Sequence, residues 1–174
     1  MIYKILLLTL FVINSYAQID LSDIKTFKAD FIQSVFNQSN KELKYKGSLY
    51  ISSQKRVLWQ YKTPIKKNVY LIDNSVIIDE PELEQAIYTS LENGIDFVTL
   101  LKSAKKINEN QFQSTINGID YNINIKNDQI DSITYKDSFE NNIIIKLKNV
   151  EKNIPLDESL FSFLPPDYYD IIRK

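Results

Sequence analysis

With 174 residues, 44% of them hydrophobic and 25% charged, and only 3 Gly and 5 Pro, the chain is long enough for one folded domain with an apolar core and is neither disordered nor collagen-like. Its 21 basic and 22 acidic residues leave a net charge of −1, so no sequence-wide positive field exists to attract nucleic acid or an anionic bilayer, and no nucleic-acid partner is expected. It contains neither Cys nor His, which excludes disulfides, thiol nucleophiles, Ser-His-Asp triads and thiolate or imidazole metal sites.

Residues 1–17 read as a cleaved signal peptide: Lys4 supplies the positive start, 5–13 is apolar apart from Thr9, and Ser15 and Ala17 are small residues at the positions a signal peptidase reads. The other reading, a membrane anchor, needs roughly 20 apolar residues, about twice this run. Cleavage after Ala17 predicts an exported domain over 18–174; of the 21 basic residues, loss of Lys4 leaves 20 against 22 acidic. Without Cys, that new N-terminus cannot itself be lipid-modified.

Apolar alternation with period two then dominates. Phe27, Ala29, Phe31, Gln33 and Val35 share one face of a first strand; Leu43, Tyr45, Gly47, Leu49 and Ile51 one face of a second; Val57, Trp59 and Tyr61 one face of a third. Each of these strands is expected to have one apolar and one wet face. After Thr63-Pro64, strands over 69–72 and 75–78 flank an Asp73-Asn74 turn, the acidic turn 79–82 follows, and 85–88 reads as the next strand. The period then changes to that of a helix over 96–106, where Phe97, Leu100, Leu101 and Ala104 recur on one face, Asp96 is the N-cap, and Lys102, Lys105 and Lys106 suit the C-terminal end. Asn117-Gly118 marks a hairpin between 112–116 and 119–125, Asn127-Asp128 leads into 130–135, and 142–150 is a β-branched run. Pro155 precedes a helical turn at 157–160. About ten strands in sequential hairpins predict a mainly β domain built on one curved antiparallel sheet.

Taken in order, Gly47-Ser48-Leu49-Tyr50-Ile51, the run Val57-Leu58-Trp59-Gln60-Tyr61-Lys62-Thr63-Pro64, the run Asp79-Glu80-Pro81-Glu82-Leu83-Glu84-Gln85-Ala86 and the closing Phe161-Ser162-Phe163-Leu164-Pro165-Pro166 resemble the signatures of the LolA family of periplasmic outer-membrane lipoprotein carriers. The resemblance implies an incomplete β-barrel with a small helical lid, whose apolar interior takes acyl chains of lipoproteins released by an inner-membrane LolCDE-type ABC transporter and delivers them to an outer-membrane receptor or to the outer membrane itself. It implies a chaperone acting as a monomer, with no cofactor. The family often carries an Arg-Pro pair before the Trp strand, its Arg holding the lid closed; here the stretch reads Ser52-Ser53-Gln54-Lys55, and Arg56, which follows, does not inherit the role. The family's first helix also has little room in 18–26, so the lid is expected to rest on the helix from Asp96.

An acyl chain left in water costs about 0.8 kcal/mol per methylene, so a carrier needs an apolar lining more than directed polar contacts. The lining candidates are Phe27, Phe31, Val35, Val57, Trp59, Tyr61, Val69 and Leu71 from the sheet, and Phe97, Leu100 and Leu101 from the lid. The alternative for each is an ordinary packed core. The charges Lys44, Lys46, Lys55, Arg56, Lys62, Lys66 and Lys67 form either a docking rim or a solvated face. Asp79, Glu80, Glu82 and Glu84 are the densest carboxylates, but they flank Pro81 in a turn, and no enzyme activity is expected of them. The competing function is a lipid or lipoprotein sensor on a similar fold.

Overall fold

The computed structural model of the protein describes residues 21–54, 56–90 and 97–174. The expected leader, Lys55 and the Asp96 cap lie outside the described residues. The strands are β1 (Phe27–Phe36), β2 (Glu42–Ile51), β3 (Val57–Thr63), β4 (Lys67–Ile72), β5 (Ser75–Glu80), β6 (Gln85–Ser90), β7 (Lys105–Asn108), β8 (Gln111–Ile116), β9 (Ile119–Lys126), β10 (Gln129–Lys136), β11 (Asn142–Lys152) and β12 (Asp170–Arg173), with one helix, α1 (Phe97–Ser103).

All twelve described strands belong to one sheet, in the order β12-β6-β5-β4-β3-β2-β1-β11-β10-β9-β8-β7. It is two hairpin ladders joined where β1 and β11 run antiparallel, with Phe31 opposite Leu147 and Val35 opposite Ile143. The turns carry the left-handed backbone that tight hairpins require: φ is +51° at Asn117 and +77° at Gly118, +50° at Asn127 and +57° at Asp128. β6 and β7 follow one another along the chain but lie toward opposite edges of the sheet. Along the chain α1 stands between these two strands, and it packs on the concave face.

Three expectations are corrected. The helix ends at Ser103 rather than running to 106, and Lys105 and Lys106 sit in β7 opposite Gln113 and Phe112; the apolar helical spacing is exhausted at Ala104, and the edge of β8 offers backbone hydrogen bonds instead. The tail adds β12, a short strand parallel to β6 with Ile171 opposite Ala86, which has no alternation to announce it. The outward face of β3, expected to be wet, is apolar and buried at Leu58. Leu58, Tyr70 and Ile77 point away from the concave side and are buried with Phe161, flanked by Tyr50, Leu156 and Phe163. The residues 156–163 thus lie over the convex face, held by a 3-10 turn over Glu158–Phe161 that Asp157 caps through a hydrogen bond from the Ser159 amide.

The concave face carries the main core. Phe27, Ala29, Phe31, Leu49, Val57, Trp59 and Leu71 from one ladder meet Phe112, Ile123, Ile133, Ile143, Ile145 and Leu147 from the other. Gly47 sits between Phe31 on β1 and Tyr61 on β3; a Cβ there would lie 2.0 Å from the Gln60 carbonyl oxygen and 2.8 Å from the Phe31 ring. The missing side chain is what lets that ring lie flat across β2. Replacing it (Gly47→Ala) must push Phe31 or bend β2, at a cost of about 1–3 kcal/mol. A thermal melt should show Tm lower by several degrees; an unchanged Tm would mean that the Phe31 position is not constrained by Gly47.

Candidate functional site

All eleven residues expected to line the site belong to, or pack against, one cluster on the concave face. Phe27, Phe31, Val57, Trp59, Leu71, Phe97, Leu100 and Leu101 are buried, and Val35, Tyr61 and Val69 are half-buried. Strand register explains the grouping: Ala29, Leu49, Trp59 and Val69 are successive cross-strand neighbours, as are Val57 and Leu71. The sequence reading omitted β8 to β11, which contribute as many buried side chains as β1 to β5. Their signal was present in the alternation Ile119, Tyr121, Ile123, Ile125.

α1 presses three side chains into this face, with Phe97 and Leu100 0% exposed and Leu101 4%. The Phe97 ring lies 5.6 Å from Phe27 and 6.0 Å from Trp59, and Trp59 in turn meets Phe31 edge-on at 5.1 Å. At the C-terminal end of α1, the Ser103 and Ser114 hydroxyls hydrogen-bond at 2.6 Å, and Ser114 is buried. A 3-10 turn, Leu21–Asp23, packs Leu21 into the same cluster before β1. α1 lies over the part of the concave face around Phe27 and Trp59. A pocket of about 120 Å³ lies between Leu21, Ile24, Ile51, Val98 and Leu101, below the roughly 300–1,000 Å³ of small-ligand sites.

The concave face changes character along its length. Around α1 it is hydrocarbon and Trp59. Further along the strands from Phe27 come Tyr45, Tyr61 and Tyr135, and Tyr121 lies opposite Ser114, the partner of α1. Tyr45 and Tyr61 are 5.7 Å apart and Tyr121 and Tyr135 4.8 Å apart, ring centre to ring centre. The Tyr61 hydroxyl donates to Gln33 Oε1 at 3.1 Å. Burial pushes the Tyr61 phenol up to about 12, with a smaller contribution from Tyr45. Tyr135 is raised too, by burial first and then by Tyr121 and Tyr61. These phenols stay neutral throughout the range in which proteins work, and stay donors.

The remaining candidates are dispersed. Lys44 pairs with Glu42 at 3.1 Å, Lys62 donates to Ser48 at 2.8 Å, and Lys67 lies 5.0 Å over the Tyr61 ring. Arg56 turns to the convex side, where it pairs with Glu158 and lies 5.8 Å over Phe161. It does not hold the lid. In the acidic turn Asp79 is buried and accepts from Asn68 Nδ2 at 2.8 Å, whereas Glu82 and Glu84 are exposed. Among the described residues no group of three or more Asp or Glu side chains could hold a metal ion.

A curved, open sheet that covers its apolar concave face with a helix from its own chain defines a half-barrel class of protein, built to shelter something apolar. Residues 22–117 match the family model described as outer membrane lipoprotein carrier protein LolA. Proteins named outer-membrane lipoprotein carrier protein are 34% identical in Wolinella succinogenes, over 87% of this chain and 88% of theirs, and 37% identical in Campylobacter jejuni, over 87% and 88%. One from Helicobacter pylori strain P12 is 34% identical over 98% of this chain and 97% of its own. The chain belongs to the LolA family. Among solved structures, an uncharacterised conserved protein from Thermus thermophilus aligns with TM-score 0.55 at 10% identity, over 90% of this chain and 95% of that one. A LolA superfamily protein from Nitrosomonas europaea aligns with TM-score 0.51 at 9% identity, over 81% and 91%. At such identities the likeness concerns the fold alone.

Trp59 is the chain's one tryptophan and lies against Phe97, so its fluorescence reports on α1. Acrylamide should quench it weakly in the ligand-free protein, and Leu100→Asp, which puts a charge under the helix, should raise quenching several-fold with the circular dichroism of the sheet retained. Equal quenching in both proteins would show that α1 does not shield Trp59.

Proposed function

We propose that this protein carries lipoproteins through the periplasm, sheltering their acyl chains between the concave face and α1 after export directed by the cleaved signal over 1–17. The observation that carries the reading is the exchangeable lid: three apolar side chains of a seven-residue helix seal an otherwise apolar face. Buried Phe and Leu side chains are worth about 1.5–3 kcal/mol each. Lifting the three into water therefore costs about 5–9 kcal/mol, an upper figure. At about 0.8 kcal/mol per methylene, roughly 6–11 buried methylenes offset it. One short chain barely repays the opening, while the two or three long chains of a lipoprotein do so amply. A single long fatty acid, with about 14 methylenes, already exceeds this figure, so the balance admits any long acyl chain.

In this reading an inner-membrane LolCDE-type ABC transporter hands the cargo over, and an outer-membrane receptor, or the membrane itself, receives it from a carrier that works as a monomer. The eleven lining residues named above form the acyl-binding surface, and the role is that of a chaperone rather than of an enzyme. The lid is held by apolar burial and the Ser103–Ser114 hydrogen bond.

The test is native mass spectrometry of residues 18–174, purified from a cell envelope in which a tagged lipoprotein is co-expressed. A one-to-one complex is expected, and it should vanish when the lipoprotein's acylated Cys is replaced. Persistence of the complex without that Cys would turn the reading toward a sensor or general lipid binder. In the same experiment, Leu100→Asp combined with Leu101→Asp should reduce the retained lipoprotein at least severalfold; full retention would remove α1 from the acyl site.

A further inference from the structure

We infer that the tyrosine-lined end of the concave face binds the ester and amide carbonyls at which a lipoprotein's acyl chains converge, so that bound chains run from there toward Phe27, Trp59 and α1. The inference rests on the carrier reading and adds an orientation and a polar subsite to it.

An acylated cysteine is amphipathic in one direction. Its chains are hydrocarbon to their tips, but they meet at ester or amide carbonyls, which accept hydrogen bonds and donate none. Burying such carbonyls without partners is costly, so a site that takes the chains deeply must offer donors at one end only. The concave face is built with that polarity. Phe27, Leu49, Val57, Leu71 and the Phe97, Leu100 and Leu101 side chains bring no polar atom, whereas Tyr45, Tyr61 and the Gln33 amide lie further along β1 to β3 from Phe27, and Tyr135 lies toward the Val35 end of the ladder.

These groups come from separate strands, so the gathering is a product of the fold. Tyr45 lies on β2 opposite Gln33 on β1, and Tyr61 lies on β3 opposite Gly47. Tyr135 lies on β10 opposite Ile143, which is itself opposite Val35. The curvature of the sheet brings Tyr61 and Tyr135 near enough for one to raise the pKa of the other, although β2, β1 and β11 separate their strands. Tyr45, Tyr61 and Tyr135 are half-buried. The Tyr61 and Tyr135 hydroxyls are themselves drawn out of water, so each is a donor held inside an apolar face. Gln33 accepts from Tyr61 and has amide N–H donors to offer a ligand.

The experiment compares two synthetic lipopeptides of equal chain length, one a diacylglyceryl-cysteine and the other its dialkyl ether counterpart, which lacks the ester carbonyls. Affinity is read from Trp59 emission and calorimetry. The wild-type protein is expected to bind the ester form about tenfold more tightly, the effect of one or two net hydrogen bonds. Tyr61→Phe with Tyr135→Phe should bring the ester form down to the ether level, a loss several times larger than any change in affinity for the ether form. These substitutions keep both rings, and if the double variant melts early the single variants support the same comparison. Equal binding of the two ligands by the wild type, or an equal loss for both in the variants, would overturn the polar subsite while leaving acyl carriage standing. Binding of neither ligand would overturn the carrier reading and this inference with it.

Discussion

The pairing of β1 with β11 is the constraint on which the remaining structure depends. It joins a ladder made by the first half of the chain to one made by the second, and places Phe27 and Phe31 in the middle of the combined concave face. Because β1 and β11 occupy the centre, β6 and β7 are driven toward opposite edges. Between them along the chain stands α1, which packs on the concave face. A curved sheet with an apolar interior is thus the outcome of one long-range pairing. Its ends are secured locally, since the Lys25 amide donates to Asn153 Oδ1 and the Thr26 hydroxyl donates to the Ile154 carbonyl.

A lid of this kind differs from an ordinary core element in how much holds it. The strands are tied by ladder hydrogen bonds on both sides, whereas α1 has seven residues, too few for a stable helix by itself. Phe97, Leu100 and Leu101 are buried in the cluster, Val98 and Ala104 pack against it, and Ser103 bonds Ser114. Hydrophobic contact is non-directional, so an acyl chain can replace Phe97 or Leu100 against Trp59 without any polar rearrangement.

The convex face explains why such a lid can move without unravelling the sheet. Leu58, Tyr70 and Ile77 are covered there by Phe161, with Phe163 stacked on Tyr70 at 5.4 Å. Strands β3 to β5 thus retain an apolar cover on one side when the other is opened. Arg56 serves this outer layer through Glu158 and Phe161, which is why the residue nearest the family's usual lid arginine has no part in closing the lid here.

Local pattern by itself determined most of the elements. Period-two alternation marked β1 to β3 and β8 to β11, Asn117-Gly118 marked its hairpin, and a change to helical spacing marked α1 through Phe97, Leu100 and Leu101, because side-chain direction follows backbone period directly. Composition and the missing Cys and His also narrowed the chemistry. The tertiary structure alone decided what depends on contacts between distant residues. β7 and β12 exist because neighbouring edges offered backbone partners, and neither Lys105-Lys106 nor Asp170-Ile171 carries a periodic signal for that. The continuous apolar runs 57–59, 69–72 and 76–78 could be read as buried on two sides, yet only the returning tail could say what buries the second side. Tyr45, Tyr61, Tyr121 and Tyr135 come from both ladders, and only the β1–β11 pairing brings them onto one face.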